Sequence, residues 1–109
     1  MREIKAIIRP ERLRAVLHAL HAIPDLPGVT ISTVQSLGRR HPPEDAEETF
    51  DAVDMTKLEI VVSAAIAQDV FRAIEQAAHT GRVGDGKIFM VEVAQAVRIR
   101  SGERDVSAL

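Results

Sequence analysis

Glu3-Ile-Lys-Ala-Ile-Ile8, closely followed by Pro10, is the segment from which the architecture of this chain is read most directly. The segment mixes polar–apolar alternation with an apolar run, a pattern typical of a mostly buried β-strand. Pro10 suits the first turn of a helix, because the N–H that proline lacks has no partner there. The segment therefore predicts a strand that leads into an amphipathic helix, whose apolar stripe is formed by Leu13, Val16, Leu17 and Leu20.

The rest of the chain continues this alternation of strands and helices. The predicted order is strand–helix–strand–strand–helix–strand, which is the order of an α+β, ferredoxin-like fold with an antiparallel sheet and two helices on one face. Ile and Val lie on both faces of several strands, so we expect a partner chain to cover the other face in a homo-oligomer. The further strands are expected at residues 29–37, 57–62 and 87–93, with a short last strand at 96–100, and the second helix is marked by Ile66, Val70 and Ile74 after the N-cap candidate Ser63.

The composition is that of one globular domain and excludes several kinds of protein. The chain has 109 residues, 46% of them hydrophobic and 28% charged, too few for two domains that each bury a core. A net charge of −2 argues against nucleic-acid binding through bulk positive charge, and the absence of cysteine excludes disulfides and thiolate chemistry. No apolar run approaches the ~18 residues of a membrane helix and no signal peptide is visible, so we expect a cytoplasmic protein that does not insert into membranes.

Residues 38–56 interrupt the periodic pattern and carry much of the acidic charge. Such a composition buries little apolar surface, so we expect a long loop. Long loops in compact domains are usually functional, and an acidic loop favours a partner with a basic surface. After Pro42-Pro43 the segment has no basic residue and contains Glu44, Asp45, Glu47, Glu48, Asp51 and Asp54.

Thr80-Gly-Arg-Val-Gly-Asp-Gly-Lys87 is the strongest local signal for a binding site. Its three glycines allow backbone N–H groups to turn toward an anion, and Lys87 adds a positive charge. The stretch matches the G-x-x-x-x-G-K pattern of a P-loop. However, Ile88 and a strand follow where a P-loop has Ser or Thr and a helix, which rejects a P-loop enzyme. From the spacing alone, a tight turn between a helix and a strand remains the alternative to anion binding.

Two pairs of arginines leave a similar choice open. Arg98 and Arg100 are two positions apart, so on a strand both guanidinium groups would face one side. Such a pair can bind an anion or simply protect an exposed sheet edge from aggregation. Arg39 and Arg40, at the start of the acidic segment, can equally be a solvated pair.

The histidines give only a weak indication of metal binding. His18 and His21 are spaced i, i+3 on the first helix but need a third ligand, so solvated side chains are the simpler interpretation. His79 is placed to interact with the dipole at a helix C-terminus. His41 with the neighbouring carboxylates is the remaining candidate for a divalent metal site.

Several segments together resemble the P-II nitrogen-regulatory signal-transduction proteins, and they span nearly the whole chain. The resemblance implies a single domain over residues 1–109, a homotrimer, and adenine nucleotides (ATP, ADP or AMP) bound in the clefts between subunits. It also implies a large T-loop at about residues 38–56 that contacts partner proteins, a phosphate-binding loop at 80–87 and a C-terminal loop at about 98–109. The matching segments are Ile4-Lys-Ala-Ile-Ile-Arg-Pro10, Gly28-Val-Thr30, Gly38-Arg39, Lys57-Leu-Glu-Ile-Val-Val62, Thr80-Gly-x-x-Gly-Asp-Gly-Lys-Ile-Phe89 and Ala96-Val-Arg-Ile-Arg-Ser-Gly-Glu103.

The resemblance also implies roles for individual residues. Those that match nucleotide-binding positions are Gly84, Asp85, Gly86 and Lys87 in the phosphate-binding loop, Arg98 and Arg100 as phosphate contacts across the subunit boundary, Thr30 and Val61 around the adenine and ribose, and Gly38 and Arg39 at the base of the T-loop.

The chain departs from the family pattern at the position of a second effector. Arg40 stands where typical members have the glutamine that ligates the magnesium holding 2-oxoglutarate, and Met55 stands where they have a lysine that pairs with that effector. We therefore expect this 2-oxoglutarate site to be lost, and Arg40 offers a positive charge that suits bicarbonate instead. The T-loop is also shorter and more acidic than usual, and it lacks the tyrosine that is modified in typical members.

These features predict a nucleotide-sensing regulator that is not an enzyme, since no nucleophile–base pair is visible in the sequence. The regulator is expected to control a transporter or an enzyme through its T-loop, with magnesium as an optional companion of the nucleotide. The alternative is a divalent-metal-binding trimeric module linked to metal tolerance or efflux, with His41 and the loop carboxylates as ligands.

Overall fold

The chain forms one antiparallel sheet with two α-helices packed against it. The computed structural model describes residues 1–40 and 49–109; of residues 39, 40 and 49–51 it describes the backbone alone. In chain order the elements are β1 Arg2–Ile8, a 3-10 turn Pro10–Arg12, α1 Leu13–His21, β2 Thr30–Arg40, β3 Thr49–Val62, α2 Ala64–Ala78, β4 Gly86–Glu92 and a second 3-10 turn Asp105–Ala108. The strand order in the sheet is β2-β3-β1-β4, which confirms the predicted ferredoxin-like α+β fold.

Strand β1 lies in the interior of the sheet and positions both of its neighbours. Its residue Ile8 pairs with Thr56 of β3 on one side and with Gly86 of β4 on the other. Ile4 and Ile8 are at most 1% exposed, whereas the alternate residue Lys5 points to the opposite face. The pattern of residues 3–8 therefore encodes a buried face, as predicted, and this face is the floor of the core.

The two helices cover that face with the residues that the apolar stripes predict. Val16 of α1 and Ile74 of α2 are fully buried, in one cluster with the buried residues of β1 and β3. Ser63 is the N-cap of α2, although its side chain makes no capping hydrogen bond. Arg12 joins the helices, because its Nε and Nη2 atoms donate to the Ala77 carbonyl oxygen at 2.9 and 2.5 Å.

The other face of the sheet carries both ion pairs and apolar side chains. Lys57 pairs with Glu59 at 2.9 Å, and this hydrogen bond lowers the pKa of Glu59. Phe89 and Val91 on β4 are 40% and 45% exposed on the same face. Because these two side chains are neighbours on one face of β4, they form a continuous apolar surface of the kind that another protein can cover.

The predicted loop over residues 38–56 is wrong at both ends. Strand β2 extends to Arg40 and β3 begins at Thr49, with Arg40 and Thr49 paired in register. The rest of the predicted loop, residues 41–48, lies outside the described residues. Residues 49–54 read Thr-Phe-Asp-Ala-Val-Asp, which is not a polar–apolar alternation, yet the ladder between the two strands satisfies their backbone groups. The strand forms here without the periodic pattern by which a strand is predicted.

The predicted short strand at residues 96–100 is also wrong. Val97 forms an isolated bridge with Arg104, and the chain between them turns back on itself, with the Gly102 N–H donating to the Arg98 carbonyl at 2.8 Å. Arg100 lies in this turn and is exposed. The strand alternation that would place the Arg98 and Arg100 side chains on one side is therefore absent. Within the described ranges, no helix combines the length and hydrophobicity needed to cross a bilayer.

Truncation of the core should be far more costly than truncation at the surface. We expect Ile74→Ala to lower the free energy of unfolding by about 2–5 kcal/mol, because it removes a fully buried side chain and leaves a cavity. Ile99→Ala, at a side chain that is 95% exposed, is the control and should change it by less than about 0.5 kcal/mol. Urea unfolding followed by circular dichroism measures both values, and equal effects would contradict this description of the core.

Candidate functional site

The glycine loop, residues 80–87, connects the end of α2 to the start of β4. Gly81, Gly84 and Gly86 have φ angles of +83°, +96° and +93°, a region that residues other than glycine rarely adopt. Gly86 has a second constraint, since a Cβ atom there would lie 1.8 Å from the Ile7 carbonyl oxygen. The glycines are thus required by the backbone path, and this path brings the loop close against β1.

The Asp85 carboxylate organises the inside of this loop. It accepts hydrogen bonds from the Thr80 hydroxyl, from the backbone N–H groups of Thr80 and Gly81 at 2.8 and 2.9 Å, and from Arg9 Nε at 2.8 Å. The Thr80 hydroxyl, followed by Arg9, holds the pKa of Asp85 far below its ordinary value. Its oxygens are therefore engaged by the loop and by Arg9.

Arg9 is a component of the site that the sequence analysis missed. Besides its bond to Asp85, it donates from Nη2 to the Val83 carbonyl oxygen at 2.6 Å. The pairing of Ile8 with Gly86 brings residue 9 beside the loop, although the sequence separates them widely. An aspartate between two glycines needs a donor, but only the strand register reveals which residue provides it.

Lys87 lies at the start of β4, where the glycine loop joins the sheet. It is exposed, and it shares a register row with Ile7 and Lys57 across the face that no helix covers. Gly86 and Lys87 also line a cavity of about 230 Å³, with Phe71 of α2 on its other side. The loop therefore presents a positive charge next to an open depression.

Three further predicted residues come together elsewhere in the chain. Thr30, Val61 and Arg98 line a separate cavity of about 360 Å³. Arg98 donates from Nη2 to the Leu109 carbonyl oxygen at 2.8 Å and lies 3.8 Å from a carboxylate oxygen of Glu103. The arginine is thus held by the C-terminal segment at the rim of this cavity.

The two groups of predicted residues lie at different ends of the sheet. Val61 pairs with Glu3 of β1, whereas Gly86 pairs with Ile8, five positions further along the same strand. At about 3.3 Å per residue, Val61 and Gly86 are roughly 17 Å apart along the direction of β1. One chain therefore brings Gly84, Asp85, Gly86 and Lys87 together, and it brings Thr30, Val61 and Arg98 together, but it keeps these two groups apart.

Comparison with known proteins identifies the family. The family described as "Nitrogen regulatory protein P-II" matches residues 1–103. The chain belongs to the P-II family. Its relatives include the nitrogen regulatory protein P-II of Rhodospirillum rubrum, 41% identical, and that of Azospirillum brasilense, 39% identical, each aligned over the full length of both chains. The crystal structure of Arabidopsis thaliana PII bound to citrate is 38% identical, with a TM-score of 0.82 over 99% of this chain and 91% of that one.

These matches confirm the resemblance seen in the sequence and establish the chain as a regulatory signal-transduction protein of the P-II family. In this P-II chain the residues predicted to form the base of the T-loop lie in the paired strands around Gly38, which is opposite Asp51. Gly38 and Arg39 lie five and six positions beyond Thr33, which pairs with Thr56 in the row of Ile8 and Gly86. These two residues are thus beyond the same end of β1 as the glycine loop.

The metal site considered for this P-II chain gains no support. In the described part of the chain, no three His, Asp or Glu side chains are grouped so as to hold a metal ion. His79 is largely exposed, with its Nδ1 atom 3.9 Å from a carboxylate oxygen of Asp85. The remaining candidate, His41 with the acidic residues beside it, lies outside the described residues.

The Asp85 network predicts a specific loss of stability in acid. Because its folded-state pKa is depressed, the Asp85 carboxylate stabilises the fold fully above its ordinary pKa of 3.8. This stabilisation is lost as the pH falls through that value toward the folded-state pKa. We expect the wild type to exceed Asp85→Asn in urea midpoint at pH 7, and the difference to narrow between about pH 5 and pH 2.

Thr80→Ala is the companion variant for this measurement, since it keeps the carboxylate but removes the hydroxyl that lowers its pKa most. The acid-dependent part of the stability should be smaller in Thr80→Ala than in the wild type. A difference between wild type and Asp85→Asn that stays constant from neutral to acid pH would show that Asp85 is not engaged in this way.

Proposed function

We propose that this P-II protein binds adenine nucleotides as a homotrimer and that the bound nucleotide determines how its T-loop contacts and regulates a partner protein. The observation that carries the proposal is the glycine loop, whose left-handed backbone is held in shape by Asp85 and which ends on the exposed Lys87. Backbone N–H groups in such a turn, with a lysine beside them, suit a chain of phosphates. The proposal assigns regulation to the chain and no reaction of its own.

The separation of the predicted residues supports a site completed by a second copy of the chain. Val61 is five positions along β1 from Gly86, and Thr30 lies on β2, the edge strand opposite to β4, so neither residue is next to the glycine loop within a subunit. The exposed Phe89 and Val91 provide apolar surface for an interface between copies. We therefore place the phosphates on the glycine loop of one subunit and the adenine and ribose at Thr30 and Val61 of its neighbour, with Arg98 and Arg100 reaching the phosphates from that neighbour.

The position of the T-loop supports its role as the responding element. Its base at Gly38 and Arg39 lies at the same end of the sheet as the glycine loop. ATP, ADP and AMP differ in the number of phosphates on that loop, so they can favour different arrangements of the paired strands β2 and β3. The acidic side chains of this hairpin favour a basic surface on the partner, either a transporter or an enzyme.

Met55 supports the loss of the usual second effector. Its side chain is only 6% exposed, and its methyl group lies 3.3 Å from where a Cβ atom of Gly86 would be. An apolar thioether thus fills the space beside the glycine loop, and a thioether cannot pair with a carboxylate of 2-oxoglutarate. Arg40, which stands at the position of the usual magnesium-ligating glutamine, offers a positive charge that suits a small anion such as bicarbonate, and magnesium can accompany the nucleotide phosphates.

Nucleotide binding by purified protein tests the proposal. We expect micromolar binding of ATP, ADP and AMP by calorimetry, and a loss of at least tenfold in ATP affinity for Lys87→Ala, because a charge-assisted contact to phosphate is removed. Arg14→Ala, at an exposed arginine of α1, is the control and should bind like the wild type. Unchanged binding by Lys87→Ala would refute the assignment of the phosphates to the glycine loop.

Mixed oligomers extend this test to the proposed subunit boundary. Lys87→Ala alters the side of the site that one subunit provides, and Arg98→Ala alters the side that its neighbour provides. When the two variants are co-expressed, some boundaries combine the unaltered side of each, so the mixed oligomers should bind more ATP than either variant alone. No gain on mixing would contradict a site shared between copies.

The second-effector assignment predicts how small anions act on ATP binding. We expect 2-oxoglutarate to leave the ATP affinity unchanged, bicarbonate to alter it, and Arg40→Gln to abolish the bicarbonate effect. Calorimetric titrations with ATP in the presence and absence of each anion measure these effects. Tighter ATP binding with 2-oxoglutarate would show that Met55 has not removed that site.

A further inference from the structure

We propose that Arg9 is the positioning residue of the glycine loop: it does not touch the nucleotide, but it holds the loop in the conformation that accepts phosphate. This inference rests on the proposed function and deepens it. Arg9 directly follows β1, and it belongs neither to the loop nor to the cavity of Thr30, Val61 and Arg98.

The guanidinium of Arg9 connects the two residues that flank Gly84 in the loop. Its Nε atom donates to Asp85 Oδ1 at 2.8 Å and its Nη2 atom donates to the Val83 carbonyl at 2.6 Å, so the two bonds fall on either side of Gly84. A Cβ atom on Gly84 would lie 3.4 Å from Nη2, which shows that the guanidinium packs directly against this glycine. The turn at Gly84, with its φ of +96°, is therefore held from both sides by one side chain.

The charge of Arg9 is as important as its shape. Asp85 places a carboxylate in the middle of a loop that is to bind an anion, and an uncompensated carboxylate would repel phosphate. Arg9 forms an ion pair with this carboxylate, and the two side chains are only 18% and 23% exposed. With the Asp85 charge balanced, the backbone N–H groups and Lys87 determine the field that the phosphates meet.

Lysine should replace Arg9 only in part. A guanidinium is a planar group with donors in several fixed directions, whereas an ammonium is a point charge on a flexible stem. Arg9→Lys keeps the charge beside Asp85 but not the simultaneous bonds to Asp85 and Val83. Arg9→Gln removes the charge as well.

Arg12 offers a matched control three positions away. It also uses Nε and Nη2, but both atoms donate to the Ala77 carbonyl at the end of α2. Both arginines thus join the segment after β1 to a distant part of the chain, and only Arg9 contacts the interior of the glycine loop. Arg12→Gln reports what is lost when such a connection is broken without disturbing that loop.

The experiment titrates ATP, ADP, AMP and adenosine into wild type, Arg9→Lys, Arg9→Gln and Arg12→Gln by calorimetry, with urea unfolding measured in parallel. For Arg9→Gln we expect ATP affinity to fall about tenfold or more, since hydrogen bonds to charged groups contribute on that scale. The loss should shrink from ATP to ADP to AMP, and adenosine binding should not change. Arg9→Lys should lie between Arg9→Gln and the wild type, and Arg12→Gln should lose stability but no nucleotide affinity.

Each contrary outcome has a distinct meaning. A wild type that binds no nucleotide overturns the proposed function, and the role of Arg9 with it. A wild type that binds, with Arg9→Gln binding equally well, overturns the role of Arg9 alone. Equal losses of ATP affinity in Arg9→Gln and Arg12→Gln, or equal losses for ATP and adenosine, would reduce Arg9 to a general stabilising contact. If Arg9→Gln does not fold, the same comparisons apply to Arg9→Lys.

Discussion

The Asp85 carboxylate is the point at which three separate parts of the chain are joined. It binds Arg9 from the end of β1, Thr80 and Gly81 from the segment after α2, and it stands one residue before β4. Without this carboxylate, the donors that converge on it would need other partners in a half-buried position, which is costly. The conformation of the glycine loop, the start of β4 and the surroundings of Lys87 all depend on this one group.

Strand β1 provides the frame on which that interaction can form. Its buried residues Ile4 and Ile8 fix which face meets the helices, and its pairing with both β3 and β4 fixes what lies beside each of its ends. One end meets Val61, at the cavity that Arg98 borders, and the other end meets Gly86. The register of a single strand thus decides that the predicted binding residues form two groups.

Much of the fold could be predicted from the sequence, because periodic burial is written into local patterns. The alternation of residues 3–8 and the helical spacing of Val16, Leu20, Val70 and Ile74 each follow from which side of an element is buried. The hairpin formed by β2 and β3 could not be predicted in the same way, because residues 52–54 are exposed and the sequence of residues 49–54 does not alternate between polar and apolar. The prediction of a short strand at residues 96–100 was wrong for the opposite reason, because Val97 and Ile99 alternate with polar residues as in a strand. The chain nevertheless turns between Arg98 and Gly102, and of residues 96–100 only Val97 makes a bridge.

The candidate site shows the same limit more sharply. Three closely spaced glycines indicate a loop with positive φ angles, so the loop at residues 80–87 could be found from the sequence. Arg9 could not, because its partnership with Asp85 depends on a strand register that joins positions 76 apart in the chain. The resemblance assigns Asp85 to the phosphate-binding loop without saying what its carboxylate contacts, and in the structure its oxygens accept hydrogen bonds from the loop's own donors and from Arg9. Long-range ion pairs of this kind become visible only after the sheet is assembled.

A carboxylate at the centre of the glycine loop has a physical advantage for the proposed binding of phosphates once its charge is balanced. Backbone N–H groups bind phosphate well only when their directions are fixed beforehand, because ordering a glycine-rich turn at the moment of binding costs conformational entropy. An internal acceptor with several donors can fix the directions of these groups, and Asp85 is such an acceptor, since it receives hydrogen bonds from Thr80, Gly81 and Arg9. The cation that balances it must then come from outside the loop, so that it compensates the carboxylate without occupying the space of the ligand. Arg9 meets this requirement because it follows β1, outside the loop, and reaches the Asp85 carboxylate and the Val83 carbonyl from there.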